Sequence, residues 1–166
     1  MDRISIVIDG EVISQEEIEY EFFRHELIQA LSGKAEIETP TKEEIITQIV
    51  QLRAVNLLAN LKGVSTTSDE VEERISAFKQ NTASLQDFNE RARQFGEDRF
   101  WRFEKNRYFI ILNTEKIKKN LVEDEREKYK QNNADAPEGV LIYTASRKFD
   151  DLVVEAVGLL EISTSY

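Results

Sequence analysis

Three times in its N-terminal half, this chain places a Ser or Thr three positions before a Glu at the head of an apolar periodic run: Ser14 with Glu17, Thr41 with Glu44, and Thr67 with Glu70. In such a pair the hydroxyl accepts from the backbone N–H three residues on, while the Glu reaches back to the N–H of the cap. Two donors that a helix start leaves open are thereby satisfied. Gly33 and Gly63 follow the first two runs, where a chain leaves a helix through the left-handed conformation. A sequence punctuated this way is committed to helices.

The apolar spacing fills in the pattern. After Ser14, Ile18 and Phe22 mark one face, widened by Phe23, Leu27, Ala30 and Leu31. The run from Ile45 to Leu61 is apolar over more than half its circumference, which predicts a central helix buried on several sides. Val71, Ile75 and Phe78 give the helix after Thr67 a narrower stripe. Ser84 with Asp87 is expected to open a short helix carrying Leu85, Phe88, Ala92 and Phe95, stopped by Gly96. A long helix then runs from about Asp98 to Gln131 on Phe100, Phe103, Ile110, Ile111, Ile117 and Leu121. A bend near Asn120 is expected, because Glu123-Asp124-Glu125 reads as a fresh start.

The β signals are few. Ile4, Ile6 and Ile8 alternate with Ser5, Val7 and Asp9, and Asp9-Gly10 is a two-residue hairpin signal with Val12-Ile13 as the return. Residues 132–139 form a polar linker with Pro137 and Gly139. Beyond it, Val140–Tyr143 reads as a short strand, expected to pair with Ile4–Ile8 and cover that open edge. Lys148 to Ile162 reads as a final amphipathic helix. The expected fold is mainly α, with five or six helices and a small β element joining the N-terminal strand to the C-terminal segment.

Length and charge bound the function. At 166 residues, 40% apolar and 33% charged, the chain fits one globular, helix-rich domain. Its 22 basic against 32 acidic residues give a net charge of −10, which disfavours nucleic-acid backbones and anionic membrane surfaces. Basic or weakly charged polypeptides remain suitable partners. With no cysteine, thiolate catalysis and disulfides are excluded. No run approaches the roughly 20 apolar residues of a bilayer span, and no cationic start followed by an apolar stretch marks a signal peptide.

Chemical motifs are weak. Glu17, Glu21 and His25 share a helix face, but His25 is the lone histidine and a di-iron site needs two Glu-x-x-His pairs. A solvated, ion-paired face is the default, so no metal and no cofactor is expected. The acidic pairs Glu72-Glu73 and Asp150-Asp151 read as charged surface. No P-loop, G-x-G-x-x-G, nucleophile elbow or Cys/His dyad occurs, and no enzymatic step is expected. The concentrated feature is aromatic: Phe88, Phe95, Phe100, Trp101, Phe103, Tyr108 and Phe109, interleaved with Arg91, Arg93, Arg99, Arg102 and Arg107. These rings do not all fit one face. They read either as a phenylalanine-rich core with some partly exposed members, or as an apolar cradle for polypeptide.

From Ile4 to Tyr129 the order is I-S-I-V-I-D-G-E-V-I-S-Q-E-E-I, then L-L-A-N-L-K-G-V-S-T-T-S-D-E-V-E-E-R-I, then D-F-N-E-R-A-R-Q-F-G, closing with E-D-E-R-E-K-Y-K-Q-N. This order resembles the helical N-terminal domain of the SurA and PrsA-type chaperone-foldases. The resemblance implies a domain that shelters unfolded polypeptide, followed in the family by a parvulin proline isomerase. The chain after Lys130 is too short for a parvulin domain. The expectation is therefore one SurA N-like domain: a helical body at 1–131, the linker 132–139 in place of the isomerase, and a returning strand and helix at 140–166. The implied function is a non-catalytic holdase or assembly factor, with the seven aromatic residues as its peptide-binding candidates. The alternatives are a dedicated interaction module on the same scaffold, for instance a homodimer with exchanged helices, and a fragment of a longer peptidyl-prolyl isomerase. Since family members are exported, the expected location is extracytoplasmic if a targeting segment precedes Met1, and cytoplasmic otherwise.

Overall fold

Asp9 and Gly10 both take positive φ, 49° and 82°, the backbone of a two-residue type I′ turn. They join β1 (Ser5–Ile8) to β2 (Glu11–Val12), with Val7 opposite Val12 and Ile8 opposite Glu11. The computed structural model describes residues 5–33 and 38–165; Ile4, part of the expected strand, lies outside them.

The caps act as their chemistry requires, with one informative departure. In α2 (Lys42–Leu61) and α3 (Ser68–Thr82) both halves of each capping box form, the Thr41 N–H donating to Glu44 Oε2 at 2.7 Å and the Thr67 N–H to Glu70 Oε2 at 2.8 Å. In α1 (Gln15–Ser32) only half forms. Ser14 Oγ accepts from the Glu17 N–H at 3.0 Å, but the Glu17 carboxylate turns away to Arg53. Gly33 closes α1 at φ 62°.

Ser84 does not cap α4 (Gln86–Phe95). Leu85 holds the N-cap position without a side-chain bond. The turn is closed from inside the helix, where Asn89 Nδ2 donates to the carbonyls of Thr82, Ala83 and Leu85. Gly96, at φ 107°, then lets α5 (Glu97–Gln131) begin immediately. α5 runs as one helix through Asn120, without a restart at Glu123. Leu121 and Glu125 continue its buried stripe, and Glu125 accepts from Lys128 and Lys148, so its acidic cluster is held within the helix.

The C-terminal expectation is corrected. Val140–Tyr143 is not a strand but the first turns of α6 (Glu138–Leu159), and the linker is residues 132–137. The physical reason is spacing. Leu141, Ala145 and Phe149 recur every fourth residue and are all buried, so one helical stripe extends back through the short β-branched run. The partner of β1 is instead β3 (Ile162–Ser165), antiparallel, with Ile6 opposite Thr164 and Ile8 opposite Ile162. Among the described residues the protein is mainly helical, six helices with a three-stranded sheet ordered β2-β1-β3. The N-terminal strand does meet the C-terminal segment, one element later than expected.

Packing falls into two chemical regions. α2, α6 and the C-terminal half of α5 enclose an aliphatic core around Ile45, Ile49, Leu58, Ile117 and Ala145, closed by Ile8 and Ile13 of the hairpin segment. Each such side chain contributes about 1.5–3 kcal/mol on burial. α1, α3 and α4 pack on the N-terminal half of α5 through rings, with Tyr20, Phe88 and Phe100 fully enclosed.

Candidate functional site

The seven aromatic candidates divide. Phe88 and Phe100 are buried, Phe100 completely, at 0% exposure. Phe95, Trp101, Phe103, Tyr108 and Phe109 are half-buried. They pack on other rings: Phe95 stacks on Phe23 at 4.7 Å, Phe103 on Tyr20 at 5.0 Å, and Trp101 meets Phe78 and Phe100 edge-on. Cations cover several outer ring faces, Arg99 over Phe95 at 4.0 Å, Lys79 over Trp101 at 4.6 Å and Arg102 over Phe103. The rings therefore tie four helices together, and of the seven candidates Phe103 and Phe109 also line an open cavity.

That cavity is a cleft of about 390 Å³ among α1, α2 and α5. α1 contributes Glu17, Tyr20 and Glu21; α2 contributes Ile49, Leu52, Arg53 and Asn56; α5 contributes Phe103, Asn106, Arg107, Phe109 and Ile110; Glu11 of β2 closes one end. Leu52 and Ile110 are also walls of a second, apolar groove of about 380 Å³ between α2, α5 and α6, lined further by Val55, Phe149, Val153 and Val154. The two compartments adjoin at Leu52 and Ile110 beside α2, one charged and the other aliphatic, and together are termed the trough.

Charge organises the first compartment. Arg53 Nη1 donates to Glu11 Oε2 at 2.7 Å, and its Nη2 donates to both oxygens of Glu17 at 3.1 Å. This one guanidinium ties hairpin, α1 and α2 together and explains why Glu17 leaves its capping box. Deeper, Arg107 Nη1 donates to Glu21 Oε1 at 3.3 Å, with both side chains about nine-tenths buried. Burial pushes the Glu21 carboxyl above the usual carboxylate range, against the pull of Arg107 and Arg24. Burial likewise lowers Arg107, opposed by Glu21. Behind them the Tyr20 hydroxyl donates to the buried Glu104 at 2.6 Å, and Arg24 Nε lies 3.3 Å from the same oxygen. Burial, with Glu104 beside it, drives the Tyr20 phenol far up. A second polar chain reaches the cleft from α5: Asn113 accepts from the Thr66 N–H at 2.8 Å and donates to Asn56 at 2.9 Å.

The expected face of Glu17, Glu21 and His25 is dispersed. Glu17 goes to Arg53 and Glu21 to Arg107, while His25 Nε2 is buried without a hydrogen-bond partner among the described residues. Among those residues no group of three or more His, Cys, Asp or Glu converges as metal ligands would. Sequence reasoning missed Arg53, Asn56, Glu104 and Asn106. A signal existed: Arg53 and Asn56 interrupt the otherwise apolar α2, and Glu104 sits inside the aromatic stretch.

Compared with protein-family models, with curated proteins and with solved structures, the chain matches none.

Proposed function

We propose that this chain is a non-catalytic polypeptide-binding protein, a holdase or assembly factor, on a scaffold related to the helical N-terminal domain of the SurA and PrsA-type chaperones. The observation that carries this reading is the trough: two adjoining open compartments whose shared walls, Leu52 and Ile110, lie between an aliphatic groove and a hydrogen-bonding cleft. An extended polypeptide presents both surfaces at once, apolar side chains and unpaired backbone groups. The aliphatic compartment supplies area without a tightly defined shape, which suits clients of differing sequence. Each contact contributes modestly, so binding is weak and driven by burial.

The test is light scattering of two unrelated proteins diluted from denaturant, with and without the chain. Suppression of both aggregations is expected, and Val153→Asp, which places a charge in the aliphatic groove, is expected to abolish it. Failure to protect either client contradicts the reading.

A second reading, a dedicated interaction module, rests on a different surface. Val140, Ile142 and Tyr143 at the start of α6 are solvent-facing, Tyr143 at 63% exposure. A module of this kind retains one partner stoichiometrically and leaves unrelated clients unprotected.

A further inference from the structure

Resting on the polypeptide-binding reading, we infer that the trough selects an extended segment in which a lysine or arginine neighbours aliphatic side chains. The argument is one of charge and of hydrogen-bond capacity. In the polar compartment the carboxylates of Glu11, Glu17 and Glu21 face the guanidiniums of Arg53 and Arg107, leaving one negative charge in excess. Arg53 directs both Nη groups, and Arg107 its Nη1, at those carboxylates. An anionic ligand would meet the excess negative charge and compete with these pairs.

The acceptors are less engaged. A carboxylate offers about four lone-pair sites, yet among the described contacts Glu11 receives one hydrogen bond, Glu17 receives two from Arg53 and Glu21 receives one. These carboxylates keep accepting capacity, and the charge on the lining is net negative. An ammonium or guanidinium group supplies donors only. Its methylene stem has Phe103 and Phe109 to lie against, as long cationic side chains do on apolar surface.

The neighbouring groove takes the aliphatic residues. It too carries a carboxylate, Asp150, one against the three of the polar compartment, and the Lys118 ammonium stands over the Phe149 ring at 4.8 Å. The discrimination therefore lies in the Glu11–Glu17–Glu21 compartment, within the field of a chain of net charge −10.

The experiment is fluorescence anisotropy with two labelled peptides, one alternating valine and lysine, the other carrying glutamate for each lysine. The lysine peptide is expected to bind about fivefold tighter at low salt, with the preference shrinking as salt is raised. Glu11→Lys, at an exposed position that leaves the Glu17–Arg53 pair in place, turns the excess charge positive and is expected to reverse the preference. The double change E11Q/E17Q is expected to do the same. Equal affinity for the two peptides, or a lysine preference that survives both variants, overturns the inference while polypeptide holding stands. If neither peptide binds but unrelated clients are protected, the inference also falls and holding again stands. If neither peptide binds and no client is protected, both fall.

Discussion

Around α2, α6 and the C-terminal half of α5 the buried side chains are aliphatic, with Phe149 the one buried ring among the described residues. Around α1, α3, α4 and the N-terminal half of α5 the packing is mostly made by rings, from Tyr20 and Phe23 to Tyr108 and Phe109, with a small aliphatic patch of Val71, Ile75 and Leu112 between α3 and α5. The aliphatic region closes over the longest sequence distances, bringing β1 against β3 and α2 against α6. The aromatic region gathers segments with a few large groups whose edge-on and stacked contacts add to their area. Where these two packings meet, neither fills the space. The charged compartment lies at that seam, lined by Ile49 of α2 and by Phe103, Phe109 and Ile110 of α5. Arg53, Glu17, Arg107 and Glu21 occupy what the apolar side chains leave open. The difference teaches that an open trough arises here where two packing chemistries meet along one shared helix.

The largest expected effects come from emptying each core in turn. Phe100→Ala removes a fully buried ring and is expected to cost about 3–5 kcal/mol, and Ile117→Ala about 2–5 kcal/mol, both read from urea unfolding. Hydrogen exchange then sharpens the comparison. Phe100→Ala is expected to lower protection mainly in α1 and α4, and Ile117→Ala mainly in α2, α6 and the sheet. Equal loss everywhere in both variants would mean a single undivided core.

The seam is probed next. Arg107→Met leaves Glu21 buried without its counter-charge, at a cost of about 3 kcal/mol at neutral pH. Glu21 already has a raised folded-state pKa, and this change raises it further. A group raised on folding gives stability that is full below the unfolded pKa and is lost as pH rises through the folded one. The variant is therefore expected to recover stability as pH is lowered from neutral towards about 4.3. A deficit independent of pH across that window would show that Glu21 is not the burdened group.

The smallest effect is on the surface of the aromatic region. Glu70, bonded by Lys116 and by its own capping box, has its carboxyl lowered to about 2. Its contribution is present above the ordinary carboxylate pKa and lost as pH falls towards 2. Glu70→Gln is expected to lower the melting temperature slightly at neutral pH and not at all near pH 2, so that the acid limb of the profile flattens.

What could be read from the chain was local. The Asp9-Gly10 turn, the caps at Ser14, Thr41 and Thr67, and the stop at Gly33 each depend on residues within a few positions, so their types alone carried the answer. Val140–Tyr143 misled because four apolar residues, two of them β-branched, fit a strand as well as a helix, and the deciding stripe through Ala145 and Phe149 lay further on. Ser84 has a capping residue's chemistry, but Asn89 closes that turn from one helix later. Of the trough, only Phe103 and Phe109 were singled out, and its charged pairs were not legible. Glu17 carries the sequence mark of a capping box, and only the fold brings Arg53 within reach to claim it. The rings were legible as a cluster, but not as ones covered by Arg99, Lys79 and one another.

That polypeptide lies in the seam between the two packings is tested most directly by site-specific photocrosslinking. A benzoylphenylalanine replaces either Gln51, an exposed residue on the wall of the aliphatic groove, or Tyr143 on the outer surface of α6. With a denatured client present during irradiation, crosslinks are expected from position 51 and not from position 143. Crosslinks confined to position 143, or none at position 51 while the client is still kept from aggregating, would place the binding surface elsewhere and contradict the role given to the trough.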